Sequence, residues 1–292
     1  MPELPEVETV RRGLSEFLPG LTVAGSGSDW PKSFPNAPAD VEKFLHGARI
    51  TEVRRRAKVL LIDLSTGYSL VVHLKMTGQL VYVGAKVRFG AGHPNDSLIR
   101  QLPDKTTHVT LEFTDGSHLY FNDQRKFGWV RLIPTVEIPN LDFMKKVGPE
   151  PLATEFTAAA FAARIRKRPG TTIKAALLDQ TVVAGIGNIY ADESLWGARI
   201  HPAARVRDVP DAKLKTLFKE LRFVLELSIE KGGSTDRNYV NAEGKKGSYI
   251  SFARVFRKEG QPCPRHPGTL IIKTRVAGRG THLCPVCQKT PR

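Results

Sequence analysis

The sequence predicts an α+β chain of several units: an N-terminal β-sandwich led by a helix, a helical domain, and a small cysteine-bearing β-hairpin. Three observations carry this expectation. Short runs of β type dominate between Ile50 and Ile133, whereas apolar residues at helical spacing dominate from Thr157 to Gly232. The three cysteines, Cys263, Cys284 and Cys287, all fall in the last segment. A chain of 292 residues with 41% hydrophobic residues has the length for two or three units with ordinary cores. The expected boundaries are 1–133 for the sandwich, 134–150 for a linker, 151–250 for the helical domain and 251–292 for the hairpin.

The elements follow in order. Behind Pro5, the residues Val7, Val10, Leu14 and Phe17 or Leu18 recur at helical spacing, with Gly20 as the stop. Strands are expected at 59–64, 70–74, 80–83, 109–113 and 118–121, with Thr66-Gly67 and Asp115-Gly116 as hairpin turns. Residues 134–150, rich in proline, glycine and charge, suit a linker. The clearest helix runs through Leu214, Leu217, Phe218, Leu221, Leu225 and Ser228 and ends at Gly232-Gly233. Residues 234–250 form a polar loop, and neither internal repeats nor low-complexity tracts are evident.

Lysine plus arginine outnumber aspartate plus glutamate by 44 to 29, a formal charge of +15. Such an excess points to a polyanionic partner, nucleic acid first and an acidic membrane surface second. No apolar run reaches the roughly 18 residues that span a bilayer. The acidic, proline-containing start is unlike a signal peptide, so an intracellular location is expected. Three cysteines cannot complete a disulfide set and suit a reducing compartment.

Cys263 and His266, then Cys284 and Cys287 after residues 267–283, have the spacing of a tetrahedral zinc site. Two short knuckles flanking a strand–turn–strand would bring four ligands together. Four protein ligands leave no open position, so one structural Zn2+ is expected. His282 is a rival for the fourth position, and knuckle spacing favours His266. Pro2 is a candidate of another kind. Removal of Met1 would expose a secondary amine, and an α-amino group titrates near pH 7.7–8.0. Attack by such an amine on a sugar C1′ gives a permanently cationic iminium, a strong electron sink. Glu3 would place a general acid or base beside it. Pro2 could equally be a stiff helix start. Gly185-Ile186-Gly187-Asn188 lacks the third glycine of a dinucleotide fingerprint, because Tyr190 stands in its place. A glycine-rich turn opening a helix still offers N–H groups to a phosphate.

Several segments in fixed order together resemble the formamidopyrimidine-DNA glycosylase family. They are the run Met1 to Gly13, Arg55 to Lys58, His73 to Gly78, Asp123 to Gly128, Leu177 to Gln180, Gly185 to Glu193, Gly232 to Thr235, and the cysteine-bearing tail. The resemblance spans the whole chain. It implies a bifunctional glycosylase and abasic-site lyase acting on double-stranded DNA that carries oxidised purines or abasic sites, working as a monomer in the cytoplasm with the nucleoid. It also implies that the helical domain contains a helix–two-turns–helix element.

The family's residue roles carry over position by position. Pro2 is the nucleophile, Glu3 the acid, Lys58 an active-site lysine and Arg279 a phosphate grip at a hairpin tip. Met76, Arg125 and Phe127 form the wedge that fills the gap when a nucleotide is extruded; by burial tendency alone, Met76 and Phe127 would be core residues. Lys174 and Asn188 contact the backbone, although an isolated Lys174 could equally be a solvated helix charge. Glu6, His73 and Glu193 stand in or behind the active site. Two positions depart from the family pattern. His266 replaces the usual cysteine, and a phosphate-binding histidine falls on Thr106, with Lys167 and Arg168 as replacement cations. Two rival readings remain: a sister enzyme of the same fold that removes oxidised pyrimidines, whose relatives usually carry glycine at the position of Leu4 and lack the wedge, and a non-catalytic zinc-dependent DNA-binding protein.

Overall fold

A computed structural model describes residues 2–93, 95–234 and 249–289. Two compact units emerge: Met1–Lys145 with Gly232–Ser248, and Lys146–Lys231 with Tyr249–Arg292. The break falls inside the segment expected as a linker, and the cysteine hairpin groups with the helices. Most of the expected loop 234–250, residues 235–248, lies outside the described residues, as do Met1 and Thr235.

The first unit opens with α1 (Leu4–Phe17), whose buried face is Leu4, Val7, Val10 and Leu14. Its start is a reciprocal capping box: the Glu3 side chain accepts from the Glu6 amide, and the Glu6 carboxylate accepts from the Glu3 amide at 2.7 Å. On its polar face, Glu8 binds Arg11, Arg12 and, at 3.0 Å, Arg55. Burial works against the Glu8 carboxylate, yet the hydrogen bonds from Arg11 and Arg55 outweigh it and hold its pKa below the ordinary value.

The elements after α1 are β1 (Val23–Ser28), α2 (Pro38–Phe44), β2 (Ile50–Arg56), β3 (Val59–Leu64), β4 (Tyr68–His73), β5 (Gly78–Val83), β6 (Arg88–Gly92), β7 (Thr107–Phe113), β8 (His118–Asp123) and β9 (Trp129–Pro134). They build two antiparallel sheets, in the orders β1-β7-β8-β5-β6 and β2-β3-β4-β9. Leu60, Ile62, Leu70 and Val72 of one sheet share a core with Leu80, Val109, Leu111, Leu119 and Phe121 of the other, and α1 adds Val7, Val10 and Leu14. The expected sandwich is present. The strand β1 was not expected, because Val-Ala-Gly-Ser-Gly-Ser has little strand propensity. It is an edge strand held by backbone pairing to β7, with only Val23 buried.

The linker expectation needs correction at its start. Beyond β9, a 3-10 turn at Thr135–Asn140 and α3 (Asp142–Lys146) lay Ile138, Leu141, Phe143 and Met144 over Val59, Leu61 and Val71. These residues cover the outer face of the four-stranded sheet. That is why β3 is apolar on both faces.

In the second unit come α4 (Ala158–Arg166), α5 (Ile173–Leu178), α6 (Asn188–Gly197), α7 (Asp211–Glu230) and α8 (Tyr249–Phe252). Thr157 and Thr172 cap α4 and α5 through their hydroxyls. The helix α7 buries the stripe read from sequence, and Gly232 and Gly233 follow it in left-handed conformations. Nearly all of α6 is buried, so it is a central helix without a polar face. Gly197 permits close approach to α7: a Cβ there would lie 2.1 Å from the Glu220 carboxylate. Two small hairpins follow, β10 (Pro262–Cys263) with β11 (His266–Leu270) and β12 (Ile272–Val276) with β13 (Arg279–Leu283). Trp196 of α6 packs with Cys263, Cys284 and Cys287, so the cysteine centre shares a core with the helices. Among the described residues, no helix is long and apolar enough to cross a membrane.

Candidate functional site

In the first unit, Pro2 and Glu3 are buried at the start of α1. Behind them Glu6 is a bridge: its Oε2 takes the Glu3 amide and its Oε1 takes the Ser234 amide, each at 2.7 Å. Gly233 makes this approach possible, since its φ is +90° and a Cβ would lie 3.3 Å from Glu6 Cγ. Lys58 stands on the tight turn between β2 and β3, beside Ala57 at φ 54°. Directly across the ladder from Val59 is His73. Burial, reinforced by the positive charges of Lys75 and Lys58, pushes its pKa down to about 3. His73 is therefore a neutral imidazole, with Nδ1 accepting from the Lys75 amide at 3.1 Å.

Met76, Arg125 and Phe127 occupy two turns, 74–77 between β4 and β5 and 124–128 between β8 and β9. Phe127 is 53% exposed, so it is not the core residue that burial tendencies suggest. The Arg125 guanidinium lies 4.7 Å from its ring centroid. Met76 is half-buried. Thr106 is corrected. Its hydroxyl is buried, donates to Asp104 at 2.7 Å and pairs with Ser97 at 3.1 Å. The side chain is used inside the fold, with its hydroxyl committed to Asp104 and Ser97.

The second unit places Asn188 at the first position of α6, behind Gly187, at the positive end of the helix dipole. Its Nδ2 donates to the Gly280 carbonyl at 3.0 Å. Arg279 is exposed beyond the Ala277-Gly278 turn, whose φ values of 50° and 74° fit a two-residue hairpin of type I′.

Lys174 requires correction: it is neither a phosphate contact nor a solvated charge. It is fully buried, and its ammonium meets Asp192 at 2.6 Å, Thr281 Oγ1 at 2.7 Å and the Gly280 carbonyl at 3.0 Å. Asp192 also accepts the His282 amide at 2.9 Å, so the pair fastens the Arg279 hairpin to the helices. Glu193 is buried as well. Its buried carboxylate takes the amides of Arg254, Val255 and Phe256 at 2.8–3.1 Å and the Arg254 side chain, which leaves it a structural anion.

Lys167 and Arg168 rim a cleft of about 450 Å3 together with Lys146, Arg164 and Thr181. Arg168 is partly neutralised by Asp179 at 2.9 Å, while Lys146 and Lys167 are exposed.

Ligand atoms of Cys263, His266, Cys284 and Cys287 all lie within 4.8 Å of one another. The Cys263 and Cys287 sulfurs are 3.7 Å apart, close to the ~3.8 Å expected for thiolates on a tetrahedron with Zn–S near 2.3 Å. His266 Nδ1 lies 3.1 Å from the Cys287 sulfur. His282 turns its Nδ1 to Asp192 instead. The residues fit one structural zinc held by Cys263, His266, Cys284 and Cys287. Burial works against a Cys263 thiolate, but the amides of Arg265 and His266, Cys284 and the Trp196 side chain outweigh it and lower its pKa.

Three family models match the chain in order: the formamidopyrimidine-DNA glycosylase N-terminal domain over residues 1–130, the formamidopyrimidine-DNA glycosylase H2TH domain over 147–239, and the zinc finger found in FPG and IleRS over 260–290. The formamidopyrimidine-DNA glycosylase of Chloroflexus aurantiacus is 42% identical over 99% of this chain and 98% of its own. That of Pelotomaculum thermopropionicum is 40% identical over 99% of both. The chain belongs to the formamidopyrimidine-DNA glycosylase family. Among solved structures, Lactococcus lactis Fpg in complex with abasic-site DNA aligns with a TM-score of 0.86 at 34% identity, over 99% of this chain and all of that one. The same enzyme with DNA containing N7-benzyl-Fapy-dG aligns at 0.85, with equal identity and coverage. The fold and the zinc centre are thus those of a formamidopyrimidine-DNA glycosylase. Sequence reasoning passed over two carboxylates in this frame, Asp123 and Asp192. Each lay inside a recognised motif, and nothing in the pattern marked it as buried.

Proposed function

We propose that this formamidopyrimidine-DNA glycosylase family member excises oxidised purines from duplex DNA and then cleaves the strand at the abasic site, with Pro2 as nucleophile. The reading rests above all on the start of α1, where Pro2 precedes a buried Glu3 fixed by a reciprocal capping box. Once Met1 is removed, the Pro2 nitrogen attacks C1′, and the glycosidic bond breaks with its electron pair leaving on the base. Glu3 protonates the sugar oxygen as the ring opens to the iminium. The iminium acidifies C2′–H, and loss of that proton expels the 3′ phosphate; loss of the C4′ proton of the resulting conjugated iminium then expels the 5′ phosphate, leaving phosphates at both ends of the gap. With His73 neutral, the positive charge beside it is carried by Lys58 and Lys75, and Lys58 is the one assigned to the lesion or its phosphate. Met76, Arg125 and Phe127 fill the space of the extruded nucleotide, and Arg279, Asn188 and Lys167 hold the backbone. A zinc ion held by Cys263, His266, Cys284 and Cys287 would brace the end of the Arg279 hairpin at Leu283, a structural role. An intracellular location beside the chromosome follows from this substrate.

Borohydride added during turnover on a duplex carrying 8-oxoguanine tests the assignment. A covalent adduct at residue 2 is expected, and residues added before Pro2 should abolish it. Glu3→Gln should lower base excision by about 10²–10⁴ while still trapping pre-formed abasic DNA. Loss of the adduct in Lys58→Ala, together with its survival in the extended chain, would make lysine the nucleophile and overturn the reading.

A further inference from the structure

The two wedge turns come from different strand pairs, yet one side chain ties them together. Asp123, fully buried at the end of β8, directs Oδ2 at the amides of Phe127 (2.9 Å) and Gly128 (2.6 Å). Its Oδ1 takes the Arg125 amide at 3.2 Å and the hydroxyl of Thr77, the residue after Met76. Thr77 Oγ1 in turn accepts from the Arg125 amide at 3.0 Å. A buried carboxylate is costly unless hydrogen-bonded, and here turn donors, none of them a charged side chain, surround it.

The arrangement has a direction. Amides 125, 127 and 128 point inward to the carboxylate, while the side chains of Arg125 and Phe127 point outward. Lys126 is held at φ 56°, and a Cβ on Gly128 would come within 2.7 Å of Phe121 and 2.9 Å of the His73 carbonyl. The result is a phenyl ring kept in water, where it forgoes burial, with an arginine stacked on it. Such a ring is preorganised for a partner.

We propose that Asp123 and Thr77 are positioning residues that make the Met76 turn and the Arg125–Phe127 turn insert into DNA as one rigid unit. This rests on the wedge reading given above. Extrusion needs all three side chains at once, because each alone leaves part of the vacated stack unfilled. The Thr77–Asp123 contact sets the spacing between the two turns.

The test compares single-turnover excision of 8-oxoguanine from a duplex with cleavage of an abasic site in a single strand, where no opposite base needs support. Thr77→Val should slow duplex excision about ten-fold, the effect of one hydrogen bond to a charged group. Single-strand cleavage should stay near wild type, and Thr77→Ser should restore the duplex rate. Asp123→Asn should act in the same direction and more strongly. Phe127→Ala placed in the Thr77→Val background should add less than it does alone. Equal losses on both substrates, no loss at all, or additive losses would overturn the proposal. Controls with Met76→Ala and Phe127→Ala separate the two readings. If these spare duplex excision, the wedge reading itself fails and the proposal falls with it. If they impair it and Thr77→Val does not, only the coupling is wrong.

Discussion

Replacing Lys174 by methionine separates two roles that a motif lysine could play in this fold. A lysine on a phosphate contributes about −0.9 to the log–log slope of affinity against salt and little to folding. Lys174 instead places the three donors of its ammonium on Asp192, Thr281 and the Gly280 carbonyl at 2.6–3.0 Å, with both charged side chains 0% exposed. Methionine keeps the stem volume but leaves the buried Asp192 carboxylate without its lysine, facing only the amide and ring Nδ1 of His282. Breaking a buried pair on one side costs about 3–5 kcal/mol. Urea unfolding followed by far-ultraviolet circular dichroism of the helices should show a loss of that size. The salt slope of DNA binding at temperatures where the variant is folded should stay unchanged. Exposed Arg279 is the counterpart: Arg279→Ala should flatten the slope by about one unit and leave stability alone. A second change sharpens the case. Asp192→Leu in the Lys174→Met background removes the stranded charge and should recover much of the lost stability, since apolar replacement of a buried pair is often near neutral. A Lys174→Met protein of wild-type stability with a flattened salt slope would refute the buried-pair account.

Two further outcomes follow from the titratable groups. His73 has a folded pKa of about 3 against 6.5 in its unpaired state, so the fold holds it neutral while the unfolded chain takes up a proton below pH 6.5. Stability from this residue is therefore complete above 6.5 and is lost as pH falls towards 3. Between pH 7 and 5 the loss is about 2 kcal/mol, and His73→Gln should be less pH-dependent than wild type by that amount in denaturant titrations; parallel curves would refute it. At the metal centre, His266→Ala should release zinc to a chelator far more readily than His282→Ala, read by metal analysis of the purified proteins. Full occupancy in the His266 variant would overturn the ligand set.

The sequence made periodicity and spacing legible, because those are properties of the chain alone. The strands Val59–Leu64 and His118–Asp123, the stripe of Asp211–Glu230 and the knuckles at Cys263 and Cys284 needed no partner to be recognised. The strand Val23–Ser28 was hidden because its order comes from β7. The apolar residues of 135–146 were hidden because proline and charge around them gave the composition of a linker, while the face they cover belongs to residues far away in the chain.

The site candidates that turn out buried share a cause. Lys174, Glu193 and Thr106 have polar side chains whose type is written in the sequence, but whether a polar group faces water or protein is decided by what lies opposite. Opposite Lys174 stands Asp192, opposite Glu193 the amides of residues 254–256, and opposite Thr106 Asp104 and Ser97. In each case the group found its full complement of partners inside the protein and so became part of the frame. A phosphate contact requires the reverse condition, a donor left pointing outward after the fold has formed. Lys146 and Lys167 on the cleft rim, Arg125 on its turn and Arg279 on its hairpin meet that condition among the described residues. The charge of +15 thus points to a polyanionic partner, and the internal pairing of side chains decides which cations remain to meet one.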